Sequence, residues 1–299
     1  MKMKFKDYLQ EKAAQIEEVL DKTLPESSLH PSVLHESMRY STLGGGKRLR
    51  AILVLAACET VGGDPRQAYG VAAALEMIHA YSLVHDDLPC MDDDDLRRGK
   101  PTNHKVYGEA VAVLAGDGLL TEAFAELARM PQKYSVSYET TVRIIGEIAF
   151  SSGSQGMIGG QTVDILAMGE ELNDADTLKY IHSHKTGALF RAALRCGAIV
   201  GRASSHELKK ITEYADNFGL AFQITDDILD ATGEEESLGK TIGADERLGK
   251  LTYPRMYGLE RSCEMARACV RRCYEALESF SDSAWALREL AEYIIHRDH

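Results

Sequence analysis

The residues best suited to chemistry in this chain are two clusters of aspartates. The first reads His85-Asp86-Asp87-Leu88-Pro89-Cys90-Met91-Asp92, and the second reads Gln223-Ile224-Thr225-Asp226-Asp227-Ile228-Leu229-Asp230. Each gathers three carboxylates into a short span of an otherwise apolar stretch. Two like charges about 4 Å apart repel by roughly 4 kcal/mol at an effective dielectric of about 20. Carboxylates so crowded must take up protons or bind cations. A set of oxygen donors suits hard ions, and Mg²⁺ in particular binds through one or two carboxylates plus substrate phosphates. The expectation is a cavity with an aspartate wall on each side and a phosphate–Mg²⁺ cluster between them.

Basic residues accompany the acidic ones. Leu96-Arg97-Arg98-Gly99-Lys100-Pro101-Thr102 follows the first cluster directly, and the planar guanidinium fork matches phosphate oxygens. Gly44-Gly45-Gly46-Lys47-Arg48-Leu49-Arg50 precedes an apolar segment. Its glycines allow an anion to approach the backbone closely, and the three-residue spacing of Lys47 and Arg50 places them on one helix face. It is not a phosphate loop of the G-x-x-x-x-G-K-[ST] type. His79 lies seven residues before Asp86, on nearly the same helix face, and is expected to contact substrate. Asp226 and Asp230, four apart, share a face about one turn from each other and can reach one metal site. Asp86 and Asp92, six apart, do not align on a regular helix. Pro89 between them cannot donate to the carbonyl of His85, so the helix is expected to distort or end there and swing Asp92 back beside Asp86. Lys185-Thr186-Gly187 is expected within a helix, and Lys240 and Lys250 flank a Gly-rich acidic loop from Gly233 to Gly249.

Helices must position these groups. Apolar residues recur at i, i+3 and i+4, and strict alternation is missing. No proline occurs between Gln132 and Tyr253, where average usage gives about six. The pattern predicts helices over roughly 4–20, 31–41, 48–60, 66–87, 105–129, 136–155, 175–200, 205–230, 253–279 and 284–296. Gly201 is expected as the residue just past one helix, and Ser204 with Glu207 as a capping box for the next. No long linker interrupts the 299 residues. The predicted architecture is all-α, a single domain over 1–299 with about ten helices around a central cavity.

The formal net charge of −12 argues against a nucleic-acid partner. Anions must be held by metal ions and by local Lys and Arg. The six cysteines show no C-x-x-C pair and read as free thiols of a reducing compartment. The longest apolar run, Ala51 to Cys58, has eight residues, far short of the ~18 that a membrane span requires. The stretch from Met1 to Asp7 lacks the apolar core of a secretory signal, so a cytoplasmic location is expected.

Taken together, Gly-Gly-Lys-x-x-Arg at 45–50, Asp-Asp-x-x-x-x-Asp at 86–92, Arg-Arg-Gly-Lys-Pro-Thr at 97–102, Lys-Thr-Gly at 185–187, Phe-Gln-Ile-x-Asp-Asp-Ile-Leu-Asp at 222–230 and Leu-Gly-Lys-Thr at 238–241 resemble the trans-prenyltransferases, the short-chain isoprenyl diphosphate synthases. The resemblance runs from about residue 30 to the C-terminus. The four-residue gap in the first Asp motif is typical of bacterial-type farnesyl diphosphate synthases and also of plant-type geranylgeranyl diphosphate synthases. The resemblance implies an isoprenoid synthase-type fold and a homodimer. It implies about three Mg²⁺ at Asp86, Asp92 and Asp226, with Asp87 and Asp230 in support. Arg97, Lys185 and Lys240 would hold an allylic diphosphate. Lys47, Arg50, His79 and Arg98 would hold isopentenyl diphosphate, and Thr186 and Gln223 would face the reacting carbon. Ala244 departs from the Lys or Ser often found there.

A hydrocarbon tail growing from Asp86 toward the helix N-terminus advances about 5.4 Å per helical turn, close to one isoprene unit. Ser82 lies one turn below Asp86, and Tyr81 beside it is the first large ring the tail meets. In the resembled family an aromatic there accompanies a C15 product, so farnesyl diphosphate is expected, with geranylgeranyl or geranyl diphosphate as the alternative. A terpene cyclase normally replaces the second Asp motif, which is retained here. A metal-dependent phosphohydrolase would use His79, His85 and Asp86 as a His–Asp centre and need further metal histidines, for which His182 and His184 are available. A non-catalytic regulatory subunit would have lost an Asp cluster.

Overall fold

The computed structural model describes residues 4–168, 174–232 and 250–296. The fold is all-α, apart from one two-stranded hairpin among the described residues. The chain divides into two compact units. One comprises Met1–Leu55 and Asp64–Ile145, the other Ala56–Gly63 and Gly146–His299.

The first unit is built around α4 (Tyr69–Asp86). Its sequence, rich in Ala with Leu75, Met77 and Leu83, favours helix and is apolar on nearly every side. Every residue from Gly70 to Ile78 is buried, as expected of a helix without a polar face. A 3-10 turn, Pro65–Ala68, leads into it; the Asp64 side chain accepts the Arg66 N–H and Pro65 occupies the first position. Around α4 stand α1 (Phe5–Thr23), α2 (Ser32–Thr42) and the start of α3 (Leu49–Thr60). The hairpin of β1 (Leu96–Arg97) and β2 (Lys100–Pro101) is antiparallel. It is followed by α5 (Asn103–Tyr107), α6 (Glu109–Ala128), the single turn α7 (Met130–Lys133) and the start of α8 (Tyr138–Ser152).

The second unit contains α9 (Met157–Ala167), α10 (Ala175–Ile181), a π-helical turn at His182–Thr186, α11 (Gly187–Val200) and α12 (Ser205–Thr232). It closes with α13 (Tyr253–Tyr257), α14 (Leu259–Ala276) and α15 (Trp285–His296). Its core holds Phe190 and Phe218 edge to face at 5.4 Å, with Tyr214 stacked on Phe218. The buried Tyr214 hydroxyl donates to the Leu287 carbonyl at 2.7 Å, which satisfies the ring's polar end.

Several expectations about elements need correction. The segments 105–129 and 253–279 are each two helices. Gly108 (φ 84°) and Gly258 (φ 79°) adopt left-handed backbone at the breaks, which glycine enters without the penalty of a Cβ. The segment 175–200 is divided by the π turn, so Lys185 and Thr186 do not lie in a regular helix. The helix α9 was not anticipated. Gly201 directly follows α11, as expected, with φ −69°; the left-handed residue is the next one, Arg202 (φ 63°). The Ser204–Glu207 capping box forms in both directions, with Ser204 N–H to Glu207 Oε2 at 2.7 Å and Glu207 N–H to Ser204 Oγ at 3.3 Å.

Candidate active site

In the first unit α4 ends at Asp86, three residues before Pro89. The chain then doubles back: Leu88 N–H reaches the His85 carbonyl at 3.2 Å and Asp93 N–H the Leu88 carbonyl at 3.1 Å. Between them Asp92 N–H donates to the Asp86 carbonyl at 2.9 Å. The first and last aspartates of the motif are thereby joined through the main chain, as the position of Pro89 predicted. The loop is seated by Val84 and Leu88, which pack with Ala112 and Met91. His85 lies against α6: its Nε2 is 3.1 Å from the Val113 carbonyl, and a Cβ on Gly116 would fall 2.1 Å from that nitrogen. Gly116 thus leaves room for the His85 ring against α6. His85, offered for the phosphohydrolase centre, is thus engaged with a backbone carbonyl.

Asp87 is buried and meets Arg97, whose Nε lies 2.6 Å from Oδ1; Asp94 is a second partner at 3.5 Å. The β1–β2 hairpin turns at Arg98 (φ 53°) and Gly99 (φ 73°), both left-handed, as two-residue turns of the primed kind require. This turn presents Arg98, whose guanidinium donates to the Gly45 carbonyl. Lys100 Nζ lies 3.4 Å from the Gly44 carbonyl. The glycine loop is held by the hairpin tip in this way.

Between Lys47 and Arg50 the chain turns Arg48 inward (φ 51°). Arg48 is buried, with Nη2 2.6 Å from the Thr42 carbonyl, Nε 2.7 Å from Glu17 and Nη1 3.4 Å from the buried Glu76. Glu76 also accepts the Ala51 N–H at 3.1 Å. Lys47 therefore lies outside α3 and is exposed, so the helix face expected for Lys47 and Arg50 does not form. The Arg48–Glu76 pair was not singled out in the sequence. Its signal was a lone glutamate in the apolar run Ala72–Ile78, which requires a partner when buried.

His79 stands on α4 among these cations. Burial holds its imidazole well below the usual histidine range, and the positive charges of Arg50, Arg98, Arg97 and Arg48 act in the same direction. It is neutral at pH 7. Burial accounts for most of that shift; the smaller contribution of the four guanidiniums marks a positive setting around the ring, which favours a bound anion. Ser82 Oγ donates to the His79 carbonyl at 2.9 Å. Tyr81 is buried edge-on to His85, 5.7 Å between ring centres. Burial, with a smaller contribution from Asp86, raises its hydroxyl to about 12.

In the second unit the π turn presents Lys185 and Thr186. It packs so tightly on α9 that a Cβ at Gly160 would lie 2.2 Å from the Lys185 backbone nitrogen. Lys185 Nζ meets the buried Asp164 at 2.6 Å. Thr186 Oγ1 donates to Gln223 Oε1 at 2.8 Å, and Gln223 Nε2 donates to Asp227 Oδ1 at 2.8 Å. Asp227 Oδ2 accepts the Tyr253 N–H at 2.9 Å. On α12 Asp226 is exposed, whereas the adjacent Asp227 is buried. His182, stacked on Tyr253, is lowered to about 4, chiefly by burial. His184 stacks on Tyr180 at 3.9 Å and is not directed at a metal partner set. Sequence reasoning missed Asp164 and Asp227 as partners. Lys240 and the Leu-Gly-Lys-Thr motif lie outside the described residues.

Among the described residues no three His, Cys, Asp or Glu side chains are grouped to hold a metal by themselves. The donors present are nevertheless carboxylate oxygens, and the Asp86–Asp92 closure joins the backbones of two residues that carry them. This set fits a hard divalent ion that takes its remaining ligands from a phosphate group.

The model of the polyprenyl synthetase family matches residues 31–291, a span that includes parts of both units. The chain is 49% identical over 298 residues to the heterodimeric geranylgeranyl pyrophosphate synthase large subunit 1, chloroplastic, of Arabidopsis thaliana, covering 99% of this chain and 80% of that protein. Among solved structures it is similar to an FPP/GFPP synthase from Zymomonas mobilis, with a TM-score of 0.87, 38% identity and coverage of 97% and 98% of the two chains. It is also similar to the geranylgeranyl pyrophosphate synthetase of Pyrococcus horikoshii, with a TM-score of 0.88, 34% identity and coverage of 98% of each.

Proposed function

This chain belongs to the polyprenyl synthetase family and is a prenyltransferase, and we propose that it condenses isopentenyl diphosphate with allylic diphosphates to give geranylgeranyl diphosphate and pyrophosphate. The observation that carries the reaction is the main-chain closure of Asp92 on Asp86 beside the arginines that converge on His79. It supplies a carboxylate pair and a cationic anion site within one unit.

Asp86 and Asp92 in the first unit, and Asp226 in the second, are the proposed Mg²⁺ ligands. Bound Mg²⁺ would offset the negative charge that grows on departing pyrophosphate, a form of electrostatic stabilisation that is often the largest catalytic contribution. Arg97 and Lys185 orient the allylic diphosphate, with Lys240 assigned alongside them. Arg97 and Lys185 pair with Asp87 and Asp164, carboxylates that compete with substrate for them. Lys47, Arg50 and Arg98 hold isopentenyl diphosphate, and neutral His79 offers it a hydrogen bond rather than a charge. The allylic C–O bond breaks with its electron pair leaving on pyrophosphate. The double bond of isopentenyl diphosphate then supplies the pair for the new C–C bond, and a proton passes to a pyrophosphate oxygen. Thr186 and Gln223 turn oxygen lone pairs toward the cation while water is excluded.

Product length has two readings. The 49% identity to a protein named a geranylgeranyl pyrophosphate synthase supports C20, against the C15 expected from the sequence. Tyr81, buried five residues before Asp86, is the specific observation that favours farnesyl diphosphate. A homodimer is proposed as well. Tyr138, Val142 and Phe150, spaced by four and eight on α8, are each more than 60% exposed, an apolar stripe that a second copy would cover.

The test is incubation with labelled isopentenyl diphosphate and C5, C10 and C15 primers, reading product lengths. C20 product from all three supports the main reading, and a stop at C15 selects the second. Asp86→Ala and Asp226→Ala are expected to abolish condensation with the fold retained. Pyrophosphate release from one substrate alone would overturn the reaction.

A further inference from the structure

The second Asp motif contains one carboxylate that the metal reading leaves without a task. Asp227 is buried, and both its oxygens are engaged by donors. The Tyr253 N–H occupies Oδ2 at 2.9 Å and Gln223 Nε2 occupies Oδ1 at 2.8 Å. A backbone N–H can only donate, and a carboxylate only accepts. The amide of Gln223 must therefore turn its NH₂ toward Asp227 and its oxygen away. That oxygen lies 2.8 Å from Thr186 Oγ1, so the hydroxyl must donate to it. The direction of each hydrogen bond follows from the one before, from Tyr253 through Asp227 and Gln223 to Thr186. At the end of the relay the Gln223 oxygen and the Thr186 oxygen both keep lone pairs for a third partner.

We propose that Asp227 is a positioning residue that fixes the sign of the dipole which Gln223 and Thr186 present to the reacting allylic carbon. This rests on the prenyl-transfer reading above. The relay makes a specific demand. The substitution Asp227→Asn keeps the shape of the side chain, but the new amide must use its oxygen for the Tyr253 N–H and so turns its NH₂ toward Gln223. Gln223 then flips to accept, its own NH₂ faces Thr186, and Thr186 must become the acceptor. Both groups now point hydrogens, the positive ends of their dipoles, at a developing cation. Adding Gln223→Glu repairs this, because the new carboxylate accepts from the introduced NH₂ and from the Thr186 hydroxyl together.

The experiment compares wild type, Asp227→Asn and the double variant Asp227→Asn/Gln223→Glu in steady-state condensation with Mg²⁺, both substrates varied. Asp227→Asn is expected to lower kcat about 100-fold, the scale seen when one preorganised dipole is lost, with both KM values within about threefold. The double variant is expected to regain at least about tenfold of kcat. A kcat for Asp227→Asn near that of wild type, or a double variant no faster than the single, overturns the inference. If wild type itself forms no prenyl product, the functional reading fails instead. Neutron diffraction of the wild-type protein covers the case of a variant that does not fold: deuterium on the Gln223 nitrogen facing Asp227 supports the relay, and facing Thr186 refutes it.

Discussion

His182 shows how a single buried ring carries a measurable consequence. It is stacked on Tyr253, and burial holds its pKa at about 4, against about 6.5 for an exposed histidine. Above the higher value neither folded nor unfolded chain carries the proton, and the ring does not affect the balance. As pH falls from about 6.5 to about 4 the unfolded chain takes up a proton that the native state refuses, so stability declines across that window and no further below it. The full loss is roughly 3 kcal/mol by proton linkage. Urea unfolding between pH 4.5 and 7.5 should give a steeper decline for wild type than for His182→Asn. Equal slopes would refute the assignment. The acidic clusters and their basic neighbours were legible in the sequence because charges embedded in apolar segments stand out. Asp227, Asp164 and Glu76 were harder to interpret, because each is defined by a partner at least 21 residues distant in the chain.

At the scale of elements, the start of α3 is secured by charge rather than by an ordinary helix cap. Arg48 leaves the helical conformation to reach Thr42, Glu17 and Glu76, and Glu76 on α4 accepts the Ala51 N–H in the first turn of α3. Removing one member of a buried pair costs about 3–5 kcal/mol because the other charge is stranded. Glu17 still faces Arg48, so Glu76→Ala should lie near the lower end of that range in chemical denaturation, and adding Arg48→Met should recover part of it. A loss below about 1 kcal/mol would show that the pair is not structural. Helices with strong periodicity, such as α1 and α12, were readable within a few residues. α9 was not: its Gly159-Gly160 pair reads as a turn, yet Gly160 is there because the Lys185 backbone passes where a side chain would be. The breaks at Gly108 and Gly258 and the π turn were equally hidden, since apolar periodicity runs through them unchanged.

For the whole molecule, the all-α architecture followed from the missing alternation and the proline-free middle of the chain, and the family match agrees with it. Association was not legible, because an exposed apolar position resembles a core position until the fold is known. Tyr138, Val142 and Phe150 on α8 are exposed in the fold, and theirs is the face proposed for association. Val142→Glu combined with Phe150→Glu should convert a dimer to a monomer in sedimentation experiments, with helix content unchanged. Equal sedimentation of variant and wild type would exclude this face. Among the described residues no helix is long and apolar enough to cross a membrane.

The peptide group that ties Asp92 to Asp86 sets a rule for how this loop can change. Because the link involves no side chain, exchange of solvent-facing Cys90 for another residue leaves it in place. Adding or deleting one codon between the two aspartates would shift the register and separate the carboxylates. Drift in the loop is therefore constrained in length much more strictly than in composition.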